Sequence, residues 1–78
     1  MHIMAQQSIK IDSEFVTRER MKRLLSQIQF AKKVGIAPNT LANAERGEGV
    51  SFTTIRLLAE YIGCGADVLV LTDEEVAS

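Results

Sequence analysis

Reactive residue types are scarce in this chain. It has one cysteine, Cys64, so no internal disulfide can form and a reducing cytoplasm is the expected compartment. Cys64 itself reads as a small packed hydrophobe. The one histidine, His2, stands next to the first residue and is given no role. With no second cysteine and no histidine cluster there is no ligand set for a metal, and no cofactor is expected. No catalytic triad can be assembled, and Gly47-Glu48-Gly49 reads as a loop rather than a phosphate cradle, so an enzyme is not expected. No apolar run exceeds four residues, far short of a bilayer span, and no secretory signal is visible.

What is present fits one small domain: 78 residues, 46% of them hydrophobic. The net charge of −1 conceals an uneven split. Residues 1–46 carry eight Lys and Arg against four acids, while residues 47–78 carry Arg56 alone against six acids. The first part is therefore at +4 and the second at −5, which suits a polyanion on one side and a different partner on the other.

The stretch Ser26–Gly47 organises the rest. Ser26 with Gln29 three residues on makes a capping-box pattern. Ile28, Phe30, Ala31 and Val34 follow as apolar residues at helical spacing, and Gly35 stops that helix. Ile36 is an apolar plug. Pro38 restarts the chain at the first position of a second helix, where its missing N–H costs nothing. That helix runs to about Glu45, with Leu41 and Ala44 inward and Asn39 and Asn43 sharing an outer face.

Around this pair, Ser13 is read as the cap of a first helix over about Glu14 to Leu24. Its apolar side is Val16, Met21, Leu24 and Leu25, and it carries the basic residues Arg18, Arg20, Lys22 and Arg23. After Ser51, the residues Phe52, Ile55, Leu58, Ala59 and Ile62 mark one face of an amphipathic helix that ends at Gly63. Two stretches stay open. Met4–Asp12 alternates like a short strand but could equally be an extended arm, and Ala66–Leu71 fits either a short helix or a strand. Residues 72–78 are polar and acidic and are expected to fray. The division expected is an arm over 1–12, a domain over 13–71 and an acidic tail over 72–78.

These residues, taken together, resemble the Xre/Cro–phage repressor type of helix-turn-helix domain. The matching signature is Ser26-Gln27, Phe30-Ala31, Val34-Gly35-Ile36, Thr40-Leu41, Glu45-Arg46-Gly47, Ser51-Phe52, Thr54-Ile55, Leu58-Ala59, Ile62-Gly63 and Asp67-Val68-Leu69. The resemblance implies an all-α fold of five helices, a homodimer, and binding of double-stranded operator DNA to control transcription. It places Pro38, Asn39, Ala42 and Asn43 at base-reading positions. It places Gln27, Thr40 and Arg46 at phosphate contacts; by their charge alone, Lys32, steering DNA at range, and Arg23, in the basic run beside the motif, are added to the expected phosphate contacts. An asparagine amide can bind adenine N6 and N7 together, and Ala42 can meet a thymine methyl.

Four departures from the family pattern bear on function. Pro38 offers no side-chain donor, Ala37 stands where a Ser or Thr cap is usual, Leu24 replaces a glycine, and Glu19 falls where an apolar residue is usual. The base-reading surface is then short, and a homodimer on a two-fold site becomes necessary. Its interface is expected on the last helix and Val68–Leu71, with the SIKID arm as a candidate strand and Tyr61 beside it or the core. The first reading is a sequence-specific regulator, a repressor. The alternative is a protein-interaction module of the same fold, such as the antitoxin of a toxin–antitoxin pair or a phage regulator adaptor, taking a protein partner on its acidic half.

Overall fold

A computed structural model describes residues 9–71, and the acidic tail and the beginning of the arm lie outside them. Five helices follow in order: α1 Ser13–Lys22, α2 Gln27–Val34, α3 Pro38–Glu45, α4 Phe52–Ile62 and α5 Ala66–Leu69. The all-α class and the helix count agree with the sequence reading.

Each boundary has a local cause. Ser26 Oγ accepts from the Gln29 N–H and Gln29 Oε1 accepts from the Ser26 N–H, closing the capping box that starts α2. Ser51 Oγ accepts from the Thr54 N–H at the start of α4. The cap of α1 is Asp12, whose Oδ1 accepts from the Phe15 N–H at 3.1 Å, so the helix begins one residue earlier than the Ser13 cap implies. Its other end is shorter than expected, stopping at Lys22 rather than Leu24. The Leu24 N–H returns to Met21 O and the Leu25 N–H to Arg20 O, with Leu24 at φ +58. That is a Schellman ending with leucine in the left-handed place that glycine normally takes.

One core forms from Ile11, Val16, Phe30, Ala31, Val34, Leu41, Ala44, Val50, Ile55, Leu58, Ala59 and Leu69. Four residues read as inward from spacing are instead exposed. Met21 and Leu24 stand at and beyond the end of α1, so the stripe through Val16 does not reach them; Leu24 is 90% exposed. Ile28 is 66% exposed, since at about 100° per residue it lies roughly 200° from Phe30, on the opposite face. Phe52 is 63% exposed because Thr54, not Phe52, shares the buried face of α4 with Ile55, Leu58 and Ala59. The Thr54 hydroxyl is satisfied by Ser51 Oγ at 3.1 Å.

Within the described residues both open stretches pair within the chain. Ile9 and Val50 exchange two backbone hydrogen bonds at 2.9 Å each. Ile11 pairs antiparallel with Val70, through the Asp12 N–H to Leu69 O and the Leu71 N–H to Lys10 O. The stretch 66–71 is thus a four-residue helix followed by a bridge. Ile11, fully buried, draws residues 9–12 across the domain and ties the α3–α4 loop to the end of α5.

Candidate nucleic-acid interface

The turn between α2 and α3 sets how far α3 stands out. Gly35 adopts φ +97, and the Gly35 and Ile36 N–H groups both return to Ala31 O. Ala37 supplies no side-chain cap, and Pro38 opens α3. Leu41 and Ala44 are fully buried and anchor the helix from beneath. Pro38 and Asn39 are exposed, while Thr40, Ala42 and Asn43 are half-buried. The two asparagine amides therefore lie on the outer side of an anchored helix and are not folded inward.

The C-terminal end of α3 is fixed by a group of polar residues that spacing alone did not join. Glu45 accepts from Arg20 twice, Nε to Oε2 at 2.8 Å and Nη2 to Oε1 at 3.1 Å. Arg20 Nη1 also donates to Leu25 O at 2.9 Å. Gln27 Nε2 donates to Glu45 Oε1 at 3.0 Å. One carboxylate thus joins α1, the start of α2 and the end of α3. The Glu45 side chain is only 6% exposed. Burial alone would raise its carboxyl, but hydrogen bonds from Arg20, Gln27 and Thr17 and the Arg20 charge hold it below its ordinary value. The same Glu45 hydrogen bond raises the Arg20 guanidinium further.

The expected phosphate contacts divide three ways. Gln27 spends one amide hydrogen on Glu45, yet it also opens α2. Among the described residues the Gln27 and Ile28 N–H groups have no acceptor, so two donors at a helix N-terminus are left unpaired. Lys32 is exposed and has no ion pair among the described residues. Arg23, by contrast, is engaged within the chain. Its Nη1 donates to Glu19 O and Glu19 Oε1, both at 2.8 Å, and its guanidinium lies 5.5 Å from the centre of the Tyr61 ring. Tyr61 in turn packs edge-on against Phe30, with ring centres 5.6 Å apart.

Glu19, at the position where an apolar residue was expected, is buried and paired with Arg23 and with Lys22 at 3.1 Å. Those two hydrogen bonds lower its carboxyl, against the opposing effect of burial. Cys64 is half-buried against the core, and burial pushes its thiol up, with Glu19 and Asp67 adding to the effect. It is not poised as a nucleophile. Among the described residues no group of three His, Cys, Asp or Glu could hold a metal ion, and no helix is long and apolar enough to cross a membrane.

Beyond α3, Arg46 and Glu48 lie on the surface. Arg46 Nη2 donates to Asn43 Oδ1, and Arg46 Nε donates to Glu48 Oε2 at 3.3 Å. The backbone holds the three together, with the Glu48 N–H on Asn43 O at 2.9 Å and Gly47 at φ +87 making the reversal.

Comparison with known proteins agrees with this geometry. A family model described as helix-turn-helix matches residues 17–69. Three solved structures share the fold, each at 18% identity. SinR, a master regulator for biofilm formation crystallised with DNA, has a TM-score of 0.62 over 70% of this chain and 90% of its own. The transcriptional regulator VanUg has 0.63 over 91% and 95%. NHTF, a hypothetical transcription factor from Neisseria, has 0.62 over 95% and 93%. No curated protein matches the sequence.

Proposed function

The chain belongs to the helix-turn-helix family of the Xre/Cro type, and from that premise we propose that it is a sequence-specific DNA-binding transcriptional regulator, a repressor acting as a homodimer on a two-fold operator. The observation that carries this reading is that α3 is anchored on one side and open to solvent at its start. Its buried side is held by Leu41 and Ala44 and its end by the Glu45–Arg20 pair, while Pro38 and Asn39 face solvent. A rod of this size fits a major groove about 12 Å wide.

Within that reading Pro38, Asn39, Ala42 and Asn43 face base edges. The free N–H groups of α2, with Thr40 and Arg46, meet phosphates, and Lys32 steers from farther off. Arg23 belongs to the α1–α4 clamp first, so its contribution to phosphate binding is the smallest of the set. Val68 and Leu71 are exposed near the end of the described chain and supply the dimer surface. The backbone of residues 9–12 pairs with Val50 and Val70 of its own chain, so the reading gives the second copy Val68 and Leu71 rather than a shared strand at these residues.

The test is selection of bound duplexes from a random pool. The regulator reading expects one enriched motif, repeated as an inverted pair with its half-sites about one helical turn apart. Enrichment of no sequence would refute it. A second reading draws on the acidic half, in which Phe52, Val68 and Leu71 are each exposed. There the chain is an antitoxin-like interaction module whose partner is a basic protein. An empty pool together with a tight complex with such a protein would favour it over DNA readout.

A further inference from the structure

Asn43 does not stand alone on the surface of α3. Its amide oxygen already accepts a hydrogen bond from Arg46 Nη2, and Arg46 is steadied from its other side by Glu48 Oε2 through Nε. Arginine has only donors, so the Asn43 amide must turn its oxygen toward the guanidinium and its NH2 away from it. The α3 ending sets all three positions, because Gly47 reverses the chain and the Glu48 N–H returns to Asn43 O.

The bidentate contact to adenine needs a free amide oxygen to accept from N6 and a free N–H to donate to N7. At Asn43 the oxygen lies beside a cation that is already donating to it. An adenine amino group brought there would share the oxygen with a charged donor. A guanine edge presents acceptors only, N7 and O6, and takes a donor from Asn43 Nδ2 with no competition for the occupied amide oxygen. Resting on the regulator reading above, we propose that Arg46, braced by Glu48, is a positioning and specificity-determining residue that makes Asn43 read guanine rather than adenine. Asn39, exposed, has no such hydrogen-bond partner among the described residues and keeps its adenine preference.

The assignment separates two roles of Arg46. A phosphate contact raises affinity for every sequence alike, whereas a positioning contact changes preference at one base pair. The experiment selects duplexes with the wild type, then measures affinity for all four base pairs at the position whose preference Asn43→Ala abolishes. The same series is repeated with Arg46→Met, which keeps the stem and removes the donors from an exposed site. The wild type should prefer guanine over adenine there by about tenfold, and Arg46→Met should bring the ratio within about twofold or reverse it, with other positions unchanged. Adenine preferred by the wild type, or an Arg46→Met variant that weakens all four base pairs equally, would overturn the proposal and leave the regulator reading intact. A pool that enriches nothing would remove both.

Discussion

Single residues decide more here than their spacing suggests. Leu24 holds a left-handed backbone at φ +58 with its side chain 90% exposed, so it gains little burial for a strained conformation. Leu24→Gly should therefore stabilise the domain by about 1 kcal/mol in urea unfolding, the strain relieved exceeding the added flexibility of the unfolded chain. Leu24→Ala should give no such gain. Glu45 works in the opposite sense. Removing the carboxylate leaves the mostly buried Arg20 without its partner, and Glu45→Ala should cost about 3 kcal/mol. The sign of its pH dependence follows from its lowered carboxyl. The stabilisation is fully present above its ordinary value of 4.5 and is lost as pH falls through the lower folded value. Wild-type stability should therefore fall faster than that of Glu45→Ala once the pH drops below 4.5, and parallel acid limbs would contradict the pair. Neither partner could be matched from the sequence. Arg20 stood in a basic run with Arg18, Lys22 and Arg23 that nothing tied to an acid, and it lies twenty-five positions from Glu45.

At the scale of elements, the sequence was legible wherever a boundary is chemical and local. Ser26 with Gln29, Gly35, Pro38, Ser51 and Gly63 all stand where their backbone chemistry requires, and α2, α3 and α4 follow from them. The inward faces were less legible, because spacing fixes a stripe but not its centre or its ends. Ile28 and Phe52 have the right composition for a core and lie off its faces. The α2–α3 turn offers a direct check on the backbone argument. Nothing lies within 4 Å of a carbon added at Gly35, so Gly35→Ala meets no neighbour. It should still cost about 1 kcal/mol in thermal or urea unfolding, because φ is +97. An unchanged stability would mean that the turn relaxes freely and does not set the pose of α3.

Over the whole molecule, residues 9–12 act as a clasp. Ile11 is fully buried and its neighbours bond to both Leu69 and Leu71, while Ile9 bonds to Val50. Period-two alternation in SIKID fitted a short strand or an extended arm and named no partners, which come from chain segments about forty and sixty residues away. Ile11→Ala should cost about 2–4 kcal/mol, whereas Ile28→Ala should cost less than about 0.5 kcal/mol, although both are isoleucines in apolar patterns. The charge split also belongs to this scale. The α1–α3 half carries the positive charge, so association with DNA should weaken steeply with salt, and Lys32→Ala should flatten the salt slope while leaving base preference unchanged.

The central claim is that the outer face of α3 reads bases. The measurement that meets it head-on is the affinity of the wild type and Asn43→Ala for two duplexes, the selected site and a scrambled one of equal length, at the same salt. Base readout predicts that Asn43→Ala loses about tenfold or more on the selected duplex and nothing measurable on the scrambled one. Equal affinity of the two proteins for the selected duplex, or equal losses on both duplexes, would contradict it.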